Sequence, residues 1–252
     1  ALVRSELLAL LVIVLPVILW QAKSVSLARR GMLGLVTIGC VILMVSPWAI
    51  FNAKRFQEPV LLSSNMGSAL LLGKCLLTFE GEMMGFFDLK CLKYADTGDA
   101  VDSSVRDGLY RAAAIDQIRE NWKKLPYTVA ARYGRTLGVY RSQQTVTKVA
   151  AWHGTAPWPV WAWVISFWVV SLLAIVGAVT AIRARSKLLP LLAPIFITLG
   201  VVAVISGEPR YHTMADLSLV VLAALGTVIL VKHFLPTMVA TPTIAPTTRY
   251  LE

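Results

Sequence analysis

Three stretches of this chain run for twenty residues or more without a single Asp, Glu, Lys or Arg: Gly31 to Ala53, Thr155 to Ile182 and Leu188 to Gly207. An apolar run of about 20 residues is what a helix needs to cross the hydrocarbon core of a bilayer, and in that core the backbone can satisfy its own polar groups only as a helix or a closed barrel. Two further runs, Leu7 to Ala22 and Leu217 to Val231, reach a usable length if polar residues at their outer ends sit at the interface. The expectation is an all-α integral membrane protein with about five transmembrane helices. Residues 1–51 hold two of them and 157–235 hold three. Between these groups, residues 52–156 are rich in charge, Gly and turn residues and read as a large, mainly helical loop domain outside the membrane. Residues 236–252, rich in Thr and Pro, read as a flexible tail.

With 57% apolar and 15% charged residues, the composition leaves little room for a water-soluble globular domain. The net charge of +10 would point to nucleic acid in a soluble protein. In a membrane protein it has another origin, because short cytoplasmic loops collect Lys and Arg. Lys23, Arg29 and Arg30, then Arg183, Arg185 and Lys187, and Lys232 after the last run, all fall on one side of a five-span arrangement. That side is expected to be cytoplasmic, which puts 52–156 on the extracytoplasmic side. Trp158, Trp161 and Trp163 fit an interfacial aromatic belt. The opening residues carry neither a basic n-region nor a small-residue cleavage site, so the chain reads as one entered partway through.

Within the loop domain, Val105, Leu109, Ala112, Ile115, Ile118 and Trp122 recur at helical spacing after Asp102 or Ser103, which can cap the start. Pro126 opens a second helix whose stripe is Val129, Tyr133, Leu137 and Tyr140, with Arg132, Arg135 and Arg141 on its other faces. Two settings suit this pair: the outer interface, basic side toward lipid phosphates, or packing of the stripe on the ends of the spans. Cys75 and Cys91 share the domain, and in an oxidising compartment a bridge between them would stabilise the fold by about 3 kcal/mol. Cys40 falls inside a span. No metal site is expected, since the cysteines lack CxxC spacing and His153 and His212 are far away in sequence.

Ionisable residues near span ends ask for a reason. Arg4 and Glu6 stand before the first span; Glu208, Arg210, Tyr211, His212 and Asp216 gather before the last. Such a cluster can pair internally and leave guanidinium donors for a phosphate, whose oxygens match the planar fork. No Ser-His-Asp spacing, Gly-rich phosphate loop or HExxH occurs.

Several segments together resemble the C-terminal half of polyprenyl-phosphate-sugar-dependent glycosyltransferases of the type C membrane fold, the protein mannosyltransferase and aminoarabinose transferase superfamily. Arg4-Ser5-Glu6 resembles that family's Arg-x-Glu entry to a span. Pro47-Trp48 through Asn52, with Ser63-Ser64-Asn65-Met66-Gly67, is similar to its Pro-Trp-x-x-x-Asn and Ser-Thr-Asn-x-Gly block, and Arg210-Tyr211 to its Arg-Tyr entry to a late span. After that pair, relatives carry prolines where this chain has Met214 and Leu217. The resemblance implies transfer of a sugar from a polyprenyl-phosphate donor to a glycan, lipid or protein acceptor outside a plasma membrane, bacterial by the same likeness, with inversion at the anomeric carbon. It implies no nucleotide sugar and no organic cofactor, and leaves a divalent cation open. The family's catalytic acid lies in its N-terminal half, so here it is expected from a missing half or a partner subunit. On this reading Arg210 holds the leaving phosphate with Arg4 assisting, and Glu6 orients Arg4. Tyr211 and His212 hydrogen-bond phosphate or sugar, while Arg55, Asn65 and Lys74 shape the donor or acceptor pocket. Membrane lipids are the other expected partner, and nucleic acid is not one. The competing readings are a non-catalytic membrane subunit that binds lipid phosphate or a partner protein, and a secondary transporter.

Overall fold

The computed structural model describes residues 7–184 and 188–234, with side chains from residue 11 onward in the first segment. Arg4, Glu6, Arg185, Lys187 and the 236–252 tail lie outside the described residues. Ten α-helices and three 3-10 turns make up the described chain, with no strand among the described residues. They are α1 (Leu7–Gln21), α2 (Leu27–Arg55), α3 (Met66–Leu72), α4 (Leu76–Phe79), α5 (Ser103–Glu120), α6 (Leu125–Thr136), α7 (Ser142–His153), α8 (Pro157–Arg183), α9 (Leu189–Val204) and α10 (Thr213–Phe234). The 3-10 turns are Leu89–Tyr94, Trp122–Lys124 and Pro209–His212.

Among the described residues, three helices are long and apolar enough to cross a membrane: α2, α8, and α10 with the turn that leads into it. At 1.5 Å per residue, α1 and α9, with 15 and 16 residues, span only about 22 to 24 Å. The hydropathy runs therefore mark all five apolar helices, and three of them have full spanning length.

Helices α8 and α10 run parallel. Near their starts Phe167 stacks on His212 at 4.1 Å between centroids, and further along Gly177 lies against Leu222 and Gly226. The approach is close enough that a Cβ on Gly177 would sit 2.0 Å from the Leu222 carbonyl oxygen, and one on Gly226 2.1 Å from that of Leu173. Between helices in lipid, where no hydrophobic drive acts, such backbone-to-backbone contact is what holds a pair. Helix α9, which joins them in the chain, packs on α10 and on α1.

The region from 56 to 156 caps one end of this bundle. Tyr133 Oη donates to the Leu199 carbonyl near the end of α9, Trp168 Nε1 donates to Leu137 O near the start of α8, and Trp48 Nε1 donates to Leu62 O near the end of α2. Lys23 in the short α1–α2 connection, Arg29 and Arg30 in the first turn of α2, and the helix ends at Arg183 and Lys232 therefore fall at the opposite end.

Local signals set the cap's helices. The Asp102 carboxylate accepts from the amides of Ser104 and Val105 at the start of α5, and Pro126 occupies the first turn of α6. The second loop-domain helix is shorter than its stripe implies. It ends at Thr136, and Gly138, at φ +71°, turns the chain before Tyr140. Its basic side is not a lipid-facing one. Arg132 and Arg135 are wholly buried, while Val129, Tyr133 and Tyr140 of the stripe are half-buried and Leu137 is exposed, so these two arginines do not face lipid phosphates. The reason is a demand for donors inside the cap. Arg132 donates to the carbonyls of Gly73 and Ala203, and Arg135 to those of Glu82 and Met84 and to Thr145 Oγ1 and Gln144 Oε1. Arg141 is the exposed member of the three.

Cys75 and Cys91 form a disulfide across a Cα separation of 5.5 Å, packed with Leu71 and Ala114. Cys40 is a free, exposed thiol on α2.

Gly177→Ala and Gly226→Ala each put a methyl against a backbone oxygen. Each is expected to lower stability by about 1 to 3 kcal/mol, seen as a lower thermal midpoint in detergent or nanodiscs. Unchanged midpoints would show that the α8–α10 approach is looser than described.

Candidate functional site

The end of α2, the start of α5 and the turn before α10 enclose an open groove of about 1210 Å³. Four of the residues expected at a site line it: Arg55, Asn65, Arg210 and Tyr211. They come from two stretches far apart in sequence, the end of α2 with the segment after it and the turn before α10, brought together because the cap folds over the ends of α2 and α9.

Each wall has a local cause. On α2, Trp48, Asn52 and Arg55 follow at four and three residues and so share one face. The Arg55 guanidinium lies 5.9 Å from the centroid of Phe51 and 5.3 Å from that of Phe56, which steadies a charge at the helix end. Residues 57–58 are pinned to the start of α5, where the Glu58 amide donates to Ser104 Oγ at 3.0 Å. The Ser104 hydroxyl and the amides it caps with hold the Asp102 carboxyl below the usual carboxylate range. Opposite, α3 lies on α5 because residue 67 is glycine: a Cβ there would sit 1.9 Å from the Asp107 carbonyl oxygen. The Gly67 amide donates to the Asp107 carboxylate at 2.6 Å, and that carboxylate's other oxygen pairs with Arg111 at 2.8 Å. Asp107 is thus neutralised within the wall.

Arg210 closes the groove from the other side. Its Nε is 2.7 Å from a carboxylate oxygen of Glu208, whose side chain is 4% exposed while that of Arg210 is 48% exposed. A buried carboxylate therefore holds the guanidinium at a surface position. Arg210 also stacks over Tyr211 at 5.6 Å and lines a second, smaller cavity of about 480 Å³ with His153, Thr155, Trp163 and Glu208. One guanidinium is common to both cavities.

Two expected site residues lie elsewhere. His212 is 4% exposed, its Nδ1 2.8 Å from an Asp216 carboxylate oxygen and its ring between Phe167 and Trp163, so it braces α8 against α10 rather than facing the groove. Lys74 is likewise 4% exposed and lies beside Arg132 in the cap, outside the groove. Burial, and secondarily the Arg132 charge, lower its pKa from 10.5 to about 7, while burial brings Arg132 and Arg135 down to about 10 and leaves both charged at neutral pH. A basic residue among outer-loop positions looks like a ligand contact in sequence, and only packing shows that its ammonium is withdrawn.

The groove also contains residues not expected at the site, chiefly Asn52, Asp107 and Arg111. Asn52 belongs to the Pro-Trp block, and its spacing from Arg55 was the available signal. Among the described residues no three His, Cys, Asp or Glu side chains lie close enough to share a metal ion. Comparison with protein-family models, with curated proteins and with solved structures gives no match.

Because the Lys74 pKa is lower folded than unfolded, the unfolded chain binds more protons between about 7 and 10.5, and stability is expected to rise with pH through that window. Lys74→Met should raise the thermal midpoint at pH 7 and flatten that rise. A rise that survives the substitution would place its origin in another group.

Proposed function

We propose that this chain is the C-terminal portion of a membrane glycosyltransferase that takes a sugar from a polyprenyl-phosphate donor and passes it to a glycan, lipid or protein acceptor outside a bacterial plasma membrane. In this reading all five apolar helices cross the bilayer. The short α1 and α9 are matched by local thinning of the bilayer or by tilt of their neighbours. Residues 56–156 are extracytoplasmic. The basic short connections at the opposite end of the bundle support that orientation.

The observation that carries the reading is the meeting of Arg55, Arg210, Asn65 and Tyr211 on one groove at the end of apolar helices. A departing polyprenyl phosphate gains negative charge in the transition state, and a cation already fixed in place stabilises that charge without reorganising. Arg210 has this character, anchored through Nε to Glu208 and half exposed at its side chain. Its place on both cavities suits a group at the bond between phosphate and sugar, with lipid phosphate in the larger cavity and sugar in the smaller. Arg55 adds a second charge to the larger one. Arg4 and Glu6 retain their expected supporting role, and the catalytic acid comes from a preceding half or a partner chain.

A second reading, a non-catalytic subunit, draws on α2, whose apolar stretch is only 6% buried and offers a long face to another polypeptide. In the full-length protein, Arg210→Ala is expected to reduce turnover of a polyprenyl-phosphate sugar at least tenfold, about 1.4 kcal/mol of transition-state stabilisation. A smaller loss removes Arg210 from the phosphate site. Tight binding of polyprenyl phosphate by the full-length protein, with no sugar released in the presence of its native membrane, favours the subunit.

A further inference from the structure

Helix α2 has 29 residues, and of these only Gly34 and Asn52 are buried. Gly34 has a plain reason, since the Leu19 side chain of α1 occupies the space beside it. Asn52 has none among the described residues. It is 1% exposed, it lines the groove, and its Nδ2 has no hydrogen-bond partner among the described residues. An amide taken from water and given no acceptor destabilises a fold, whereas an apolar side chain of similar size at the same place does not. A polar group held at such a cost points to an acceptor that is supplied from outside.

The surroundings state what kind of acceptor. Arg55 follows Asn52 by three residues on the same helix face, and Arg210 lines the same groove. The carboxylate nearest in role, Asp107, is engaged by the Gly67 amide and by Arg111, and Glu58 stands on the loop tied to Ser104. A carboxamide donor that shares its groove with two arginines suits a ligand with several acceptor oxygens and negative charge.

We infer that Asn52 is a ligand-binding residue that donates its Nδ2–H to a phosphate oxygen held in the groove by Arg55 and Arg210. The inference rests on the proposed function and adds to it a neutral donor that orients the phosphate between the two charges. A lipid headgroup and a soluble phosphate ester share this chemistry. Trp48, Leu61, Leu62 and Met66 on the same groove give the lipid form additional apolar surface.

The test uses the full-length protein in nanodiscs and two probes, a polyprenyl monophosphate and inorganic phosphate. It compares the wild type with Asn52→Leu, Asn52→Asp and Arg210→Ala, reading both affinity and apo thermal midpoint. Asn52→Leu is expected to keep or raise the apo midpoint, because it removes the unmet donor, while weakening polyprenyl phosphate at least tenfold. Asn52→Asp, which exchanges the donor for an anion, is expected to weaken it further. Equal weakening for inorganic phosphate supports a site for the phosphate group alone, and weakening for the lipid probe supports a headgroup site. If Arg210→Ala loses affinity while both Asn52 variants bind within twofold of wild type, this inference fails and the proposed function stands. A lowered apo midpoint in Asn52→Leu with unchanged affinity marks the amide as structural and overturns it too. A wild type that binds neither probe overturns both.

Discussion

The Arg132 guanidinium holds together parts of the chain that would otherwise have no reason to meet. It donates to the carbonyl of Gly73, just past the end of α3, and to that of Ala203 in the last turn of α9. Helix ends leave four carbonyls without intrahelical partners, and their partial negative charge favours a cation nearby. One buried side chain on α6 thus closes the ends of a cap helix and an apolar helix at once. Glycines make room for it. A Cβ on Gly207 would sit 2.4 Å from the Arg132 carbonyl oxygen, one on Gly85 2.7 Å from the Ala131 carbonyl carbon, and one on Gly73 2.0 Å from the Ile205 oxygen. The backbone around α6 is packed as closely as backbone can be, and the guanidinium fills the polar space that remains.

This arrangement also fixes the groove. Ile205, one residue beyond α9, lines the groove and touches Gly73, while Gly207 leads directly into the turn that carries Glu208 and Arg210. The position of Arg210 is therefore set from two directions, by the close packing of Gly207 on α6 and by the ion pair with buried Glu208. The arginines divide by what they engage. Arg132 and Arg135 are consumed by protein carbonyls and give the cap its rigidity; Arg55 and Arg210 remain at the surface, steadied by aromatic rings. A cation that must bind a ligand anion has to keep its guanidinium exposed, and of these four Arg55 and Arg210 do.

Much of the bundle is legible in sequence because its signals are local and one-dimensional. An uncharged run of sufficient length is a helix wherever it sits in lipid, and α2, α8 and α9 begin and end within a few residues of those runs. Asp102 caps α5 and Pro126 opens α6 where residue type alone requires it. Half the expected groove is legible for a similar reason, since Arg55, Asn65, Arg210 and Tyr211 lie where chain segments leave apolar helices. Lys74 and His212 have the same appearance and a different fate, because burial belongs to the neighbours and not to the residue.

The sequence by itself determined that the chain is helical, that its apolar runs suit a bilayer, and that basic residues stand at the ends of those runs. Those properties follow from hydropathy, helical period and charge, which act over a few residues at a time. Only the tertiary structure decided which arginines are spent inside the cap, that Gly177 and Gly226 bring α8 and α10 into backbone contact, and that Asn52 meets Arg55 and Arg210 across one groove. Each of these depends on a partner tens of residues distant, and the desolvation, close packing or hydrogen bonding that gives it meaning exists only once both are in place.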